Sequence, residues 1–332
     1  MKLASFKEKN QQKIGILVNG ALYDLSSVDA HIPHDMLSFL DAGESVMELA
    51  RKIEEDIHKG HIKVEPVIDY TLLAPVPNPR SCRDGYAFRQ HVEAARRNRG
   101  VEMIKEFDQY PIFYFTNHLA INGPGDIYCM PDHFEQLDFE LEIAIVIGKK
   151  GRNIQAKDAD RHVAGFTIMN DLSARKLQME EMLLNLGPAK GKDFSTIIGP
   201  WLVTPDELSP YLVPAKSGHV GNNYNLTMQC RVNDVLVSEG NMRDMDWTFA
   251  EIIERCSYGV TLYPGDVIGS GTVGTGCFLE LNGTGKLQDP SYQAQWLKKD
   301  DVVKMRIDGL GILENTIKAE ETDWSILAVK KQ

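Results

Sequence analysis

An α+β fold made mostly of β-structure is what this sequence predicts, and three observations predict it. Beyond about residue 80, short β-rich runs succeed one another across Gly, Pro, Asn and Asp turns, unlike the regular alternation of a βαβ array. Helical stretches are few. The segment TLLAPVPNPRS sets Pro75, Pro77 and Pro79 close together, which keeps the backbone extended and ends any helix before it. The chain therefore divides into a small N-terminal α/β domain, residues 1–71, and a mostly β catalytic domain, residues 72–332.

In the first segment, KIGILVNGALYDL predicts two short strands around a Val-Asn-Gly turn, because Asn-Gly accepts the positive φ angles of a tight hairpin. Two helices are expected next, in HDMLSFLDAG and ESVMELARKIEEDIHKG. In the larger segment, strands are expected in PIFYF, LEIAIVIG, GFTIMND, PWLVT, LTMQCRVNDVLVSEG, YPGDVIGSGTVGTG and VVKMRIDGLGILENTI. Asn233-Asp234 supplies a hairpin turn between two of them. Helices are expected over 85–99, 173–186 and 247–258. No internal repeat or low-complexity tract interrupts this order.

With 332 residues and 43% hydrophobic side chains, the chain can bury a substantial core. Its formal net charge of -11, with no Lys or Arg stripe to track phosphates, argues against nucleic acid as a partner. The densest basic stretch, Arg96, Arg97 and Arg99, reads either as an attractor for a small carboxylate substrate or as a solvated helix face. No apolar run has signal-peptide length or approaches the roughly 20 residues of a membrane span, so a cytoplasmic protein with no membrane partner is expected. Five cysteines without a CxxC pair suggest buried small hydrophobes and neither disulfides nor a zinc knuckle.

The sharpest chemical signal is LDFELEIAIVIG. On a strand, Asp138, Glu140 and Glu142 fall on one face and Phe139, Leu141 and Ile143 on the other. Like charges beside a buried apolar run repel and resist ionisation, and a divalent cation removes both difficulties; the plain alternative is an acidic, solvent-facing sheet edge. GFTIMNDLSARKLQ ends a strand at Asp171 and starts a helix with Arg175 and Gln178 on the same side. Alone, Asp171 is an ordinary helix cap; beside Glu140 and Glu142 it completes an all-oxygen set suited to Mg²⁺, Mn²⁺ or Ca²⁺. In CRDGYAFRQHVEAARRNRG, Asp84 and His91 lie two helical turns apart, pairing a potential ligand with an imidazole that exchanges protons near neutral pH; Tyr86 either donates a hydrogen bond there or packs. Lys190 and Lys192 stand among glycines, where an ammonium can reach a developing anion. The run Gly269 to Gly276 lacks phosphate-loop spacing; it reads as a tight turn bringing Thr272 and Glu280 into a cleft, or as a plain β-hairpin.

Taken together these segments resemble the fumarylacetoacetate hydrolase family from about residue 72 onward, nearer to its fumarylacetoacetate-cleaving member than to its shorter members. The resemblance implies a mixed β-sandwich roll for the catalytic domain and a homodimer. DGYAFRQH implies Asp84 as a metal ligand, Tyr86 as a substrate tyrosine and His91 as the catalytic base. FELEIAIVIGK implies Glu140 and Glu142 as ligands, and NDLSARKLQ implies Asp171 as the fourth, with Arg175 and Gln178 near the reacting carbonyl. LGPAKGKDFST implies Lys192 as oxyanion stabiliser and Thr196 in substrate binding. GSGTVGTGCFLEL implies Thr272 in substrate binding and Glu280 as the group orienting His91. Where the family has an arginine after the histidine helix, this chain has Gly100 with Arg99 adjacent, and a second substrate tyrosine falls on Leu183.

The implied activity is metal-dependent hydrolysis of the C–C bond of a β-diketo acid, foremost fumarylacetoacetate in tyrosine or homogentisate breakdown, with Mg²⁺ first among the cations. Fumarylpyruvate or acylpyruvate hydrolysis uses the same site. A protein that merely holds a metal and a keto acid is the alternative of another class.

Overall fold

The strand Leu141–Ile147 is buried at every position, because it carries apolar side chains on both faces. Its odd-numbered residues, Leu141, Ile143, Ile145 and Ile147, belong to one hydrophobic core, and Ala144 and Val146 to another. The strand therefore lies at the centre of a sheet covered on both sides. The computed structural model describes residues 1–331.

The large sheet runs, in spatial order, Ala21–Asp24, Gln11–Val18, Lys2–Glu8, Thr196–Val203, Val163–Asp171, Leu141–Ile147, Val267–Gly269, Cys82–Gly85 and Phe113–Thr116. A five-stranded sheet, Val235–Asn241, Thr227–Val232, Val302–Ile307, Gly311–Ala319 and Gly125–Cys129, packs on one face. Met228, Cys230, Met305 and Leu313 share a core there with Ile143, Ile145 and Ile168 of the large sheet. The result is a mostly β sandwich, as expected.

The opposite face is covered by the first segment. Its strand Lys2–Glu8 pairs antiparallel with Thr196–Val203, Leu3 opposite Leu202. Ile14, Ile16, Met36, Phe39 and Ile53 share a core with Ala144, Val146, Met169, Ile198 and Val267. Residues 1–71 thus continue both the sheet and its core, and the boundary at 71/72 breaks neither. The expected hairpin is present, with Val18 opposite Ala21 and positive φ at Asn19 (51°) and Gly20 (82°). Helices Met36–Ala42 and Glu44–His58 follow. Lys2–Glu8 was not anticipated; it finds its partners in Gln11–Val18 and in a strand nearly 200 residues away.

The three expected helices are shorter than the sequence suggested: Arg89–Arg97, Arg175–Met182 and Phe249–Ser257. A fourth, Phe278–Gln288, forms where a turn or hairpin was expected. Asn282, Gly283 and Gly285 weaken its local signal, and its first backbone N–H groups are capped from far along the chain: Phe278 and Leu279 donate to the Asp138 carboxylate at 2.7 and 2.9 Å. Gly283 allows close approach to the His91 helix, since a Cβ there would lie 2.4 Å from Asn98 Nδ2. That amide donates to Glu280 O at 3.0 Å and joins the two helices.

Asp138 also accepts from Arg175 Nε at 2.8 Å, so one fully buried carboxylate ties together a helix start and a guanidinium. Asp138→Ala leaves Arg175 short of a partner and the helix uncapped. The expected loss is about 3–5 kcal/mol, read by urea unfolding; a loss below about 1 kcal/mol, the scale of a single cap, would show that the ion pair contributes nothing.

Candidate active site

Five neighbouring strands of the large sheet bring their ends to one place. In spatial order they contribute Asp171, Glu142, Gly269, Asp84 and Tyr114 on the face that carries Ala144 and Met169 further along. Period-two alternation aligns them, with Gly269 opposite Asp84 and Asp84 opposite Tyr114. Asp84, Glu140, Glu142 and Asp171 each offer a carboxylate oxygen, all within 4.8 Å of one another, and all four residues are buried. The four expected ligands are thus brought together.

Their charges are unevenly compensated. Lys192 Nζ donates to Glu140 Oε2 at 2.6 Å and to Asp171 Oδ2 at 2.7 Å, and Arg175 Nη2 donates to Glu140 Oε1 at 2.7 Å. Burial alone would push Glu140 up, yet these two cations hold its carboxyl down to about 2. Among the described residues Asp84 and Glu142 have no cation in ion-pair contact. Burial, then the charge of Asp171, pushes Asp84 up to about 7; burial, then Asp84, pushes Glu142 well above the carboxylate range. Glu142 Oε2 and Asp171 Oδ1 are buried with no hydrogen-bond partner among the described residues. Unpartnered carboxylate oxygens in a group of four buried acids are the donor set a hard divalent cation satisfies, so the site fits one.

Gly269 makes the room. A Cβ there would lie 2.5 Å from Asp84 Oδ1, closer than side chains tolerate, and 3.0 Å from Glu142 Oε2, a tight contact. Gly269→Ala is expected to displace both carboxylates, weaken Mn²⁺ binding about tenfold and cost about 1–3 kcal/mol by overpacking. Calorimetric Mn²⁺ titration checks this, and wild-type affinity would remove Gly269 from the site.

Beside the carboxylates, His91 Nδ1 lies 2.6 Å from Glu280 Oε2, with both side chains buried. The second Glu280 oxygen accepts from Thr275 N at 3.0 Å. The carboxylate is therefore fixed at both ends, and it leaves Nε2 as the imidazole nitrogen able to exchange a proton. Tyr86 packs edge-on against His91, ring centroids 6.1 Å apart. Thr272 donates to Glu142 Oε1 at 3.4 Å, and Thr196, opposite Asp171 in register, lies 3.3 Å from the Thr116 hydroxyl.

Several expectations need correction. Asp84 and His91 do not share a helix face: Asp84 sits on the strand Cys82–Gly85 and His91 on the following helix. The three acids of LDFELE do not line one face either, because the strand is interrupted between Asp138 and Leu141 and Asp138 turns to Arg175. Arg175 does not point free toward a substrate. All three of its nitrogens are engaged, by Asp138, Glu140 and, at 2.9 Å, Gln178 Oε1. Arg99 is exposed and folds back on Ala95 O at 3.1 Å, and Lys190 is exposed and paired with Asp193. Neither joins the cluster.

Tyr114 was missed. Its hydroxyl donates to Asp171 Oδ2, opposite the orphaned Oδ1. PIFYF reads only as a strand, and nothing local marks which of its aromatics faces the carboxylates. Asn170 was missed too: its Oδ1 accepts Glu140 N–H at 3.0 Å where the strand is interrupted.

Residues 81–318 match the family pattern described as fumarylacetoacetate (FAA) hydrolase C-terminal. The mitochondrial oxaloacetate tautomerase FAHD2A of Homo sapiens is 34% identical over 305 residues, 90% of this chain and 84% of that protein. The mitochondrial oxaloacetate tautomerase fahd2 of Xenopus laevis is 33% identical over 329 residues, 96% and 90% respectively. Among solved structures, the fumarylacetoacetate hydrolase EaFAH of Exiguobacterium antarcticum superposes with a TM-score of 0.70 at 26% identity, covering 96% of this chain and 100% of that one. These sequence relatives bear the names of tautomerases, whereas the motifs were expected to lie nearest the fumarylacetoacetate-cleaving enzyme.

Proposed function

Because the chain belongs to the fumarylacetoacetate hydrolase family, we propose that it interconverts the keto and enol forms of oxaloacetate or a closely similar 2-oxo acid, using a divalent cation, Mg²⁺ foremost. The observation that carries this reading is the convergence of four buried carboxylates, two of them with orphaned oxygens. When bound, the cation supplies Lewis-acid polarisation of the substrate's oxygens. The chain's own residues supply the rest. His91 Nε2 takes the proton from the carbon between two carbonyl groups and returns it, while Glu280 keeps Nδ1–H in place and stabilises the transient imidazolium. Lys192 offers an ammonium beside Glu140 and Asp171 for the oxygen on which negative charge grows. Tyr114 and Lys192 hold Asp171 by one oxygen and leave the other toward the site.

A second reading, C–C hydrolysis of a β-diketo acid such as fumarylacetoacetate, fumarylpyruvate or acetylpyruvate, is supported by the same buried imidazole–carboxylate pair, which can activate water as well as abstract a carbon-bound proton. The two are separated by following enol absorbance of oxaloacetate and of each diketo acid, with Mg²⁺ and after EDTA. We expect metal-dependent acceleration of oxaloacetate ketonisation and no new carboxylate product. Cleavage products from a diketo acid, with oxaloacetate unaffected, would replace the first reading by the second.

A further inference from the structure

The loop that presents Lys192 joins the helix Arg175–Met182 to the strand Thr196–Val203. Leu183, Leu184 and Leu186 are 79%, 81% and 94% exposed, so these three apolar side chains bury little. Its far end is held by Lys192 itself on Glu140 and Asp171, by Ala174 N–H donating to Gly191 O at 2.9 Å, by Asn117 Nδ2 donating to Asp193 O at 3.0 Å, and by two further anchors. Glu181 accepts the backbone N–H groups of Ala189, Lys190 and Gly191 at 2.8, 2.7 and 3.0 Å. Phe194, two residues past Lys192, stacks on His133 with centroids 3.9 Å apart.

Each anchor has an immediate chain neighbour gripped by the carboxy-terminal segment. Beside His133, Asp132 is buried and accepts from Ser325 Oγ at 2.6 Å, Ile326 N at 2.7 Å and Leu327 N at 3.3 Å. Beside Glu181, Glu180 pairs with Lys330. The final strand ends at Ala319, so this segment adds no strand to either sheet, and Trp324 and Val329 are 61% and 67% exposed. A segment that buries so little of itself, yet closes three hydrogen bonds on one buried carboxylate, has its effect on what it grips.

We propose that residues 325–330 are a positioning strap that braces the Lys192 loop through Asp132 and Glu180. The inference rests on the reading that Lys192 acts at the site, but the contacts it invokes do not. Ser325, Ile326 and Leu327 hold Asp132 and thereby the short turn carrying His133, which keeps Phe194 stacked. Lys330 holds Glu180 and thereby the helix end from which Glu181 captures the loop backbone. None of these residues lies among the four carboxylates, so loosening the strap reaches Glu140 and Asp171 only through Lys192.

The test compares the full-length chain with the variant Asp132→Asn, Ser325→Ala, Lys330→Ala by hydrogen–deuterium exchange, alongside Mn²⁺ titration and turnover. Exchange should rise in residues 321–331 and also in 186–194, with the strand Leu141–Ile147 at wild-type rates and Mn²⁺ affinity changed less than turnover, because the strap reaches Glu140 and Asp171 only through Lys192. With whichever substrate turns over, kcat should fall about tenfold and KM little, because a loosened group loses preorganisation at the transition state. Glu180→Gln, which removes the second grip alone, should raise exchange in 186–194 by less. Faster exchange in the tail with the loop at wild-type rates overturns the proposal, as does a tail whose exchange does not change. Exchange is read without substrate, so failure of the proposed activity would leave this result standing.

Discussion

His91→Ala is expected to lower turnover by about 10²- to 10⁴-fold, the range typical of losing a positioned acid–base group, while divalent-cation binding stays intact. His91 contributes no oxygen to the carboxylate set, and its held nitrogen faces Glu280 at 2.6 Å, so its loss removes proton transfer without dismantling the cluster. Glu280→Gln should show a smaller loss, about 10- to 100-fold, the scale typical of an outer partner that orients another group. The amide keeps the size of the side chain but not its charge, so the imidazole stays near its place while the anion that stabilises the transient imidazolium is gone. Near-wild-type turnover in both variants would remove the pair from the chemistry. A collapse of Mn²⁺ binding in His91→Ala would instead make the histidine part of the metal site.

The second large effect concerns the cation. Glu142→Gln should reduce divalent affinity by more than the about 10- to 100-fold that losing an outer partner typically costs, since Glu142 lies within the convergent set and supplies an orphaned oxygen. Without metal the same substitution should stabilise. Asp84 and Glu142 have folded-state pKa values raised above the ordinary carboxylate range, which means that folding opposes their ionisation. The metal-free protein is therefore most stable below that range, and it loses stability as pH rises through about 7, where Asp84 ionises. Each unit of raised pKa corresponds to about 1.4 kcal/mol. Thermal unfolding at pH 6 and pH 8, in EDTA and in Mg²⁺, should then show a crossing: at pH 8 the Glu142→Gln protein melts above wild type in EDTA and below it in Mg²⁺. Wild type losing no stability in EDTA between the two pH values would contradict the repulsion on which the metal site is argued.

Much of the site was legible because its residues carry their chemistry in their identity and in short-range order. Glu140 and Glu142 announce themselves as charges at the head of a buried apolar run, and Asp171 as an acid where a strand gives way to a helix. What was misread has a common cause. The helix Phe278–Gln288 was overlooked because its cap, Asp138, is 140 positions away in the chain, and its glycines weaken a helix locally while permitting contact with Asn98. Arg175 was placed at the substrate by the family resemblance of NDLSARKLQ, whereas two buried carboxylates at and just past the end of the short strand Leu137–Asp138, Asp138 and Glu140, engage it.

Residue types and their order determined by themselves that this chain is mostly β, that it gathers four carboxylates, a histidine and a lysine, and that it belongs with metal-dependent enzymes of one family. Periodicity and turn chemistry act over a few residues, and identity needs no fold to be read. Only the tertiary structure decided that Asp84 reaches the cluster from a strand, that Asp138 leaves it, that Gly269 clears its centre and that Tyr114 closes it. Those outcomes depend on which strands lie side by side, and burial of apolar faces sets that order between segments far apart in the chain.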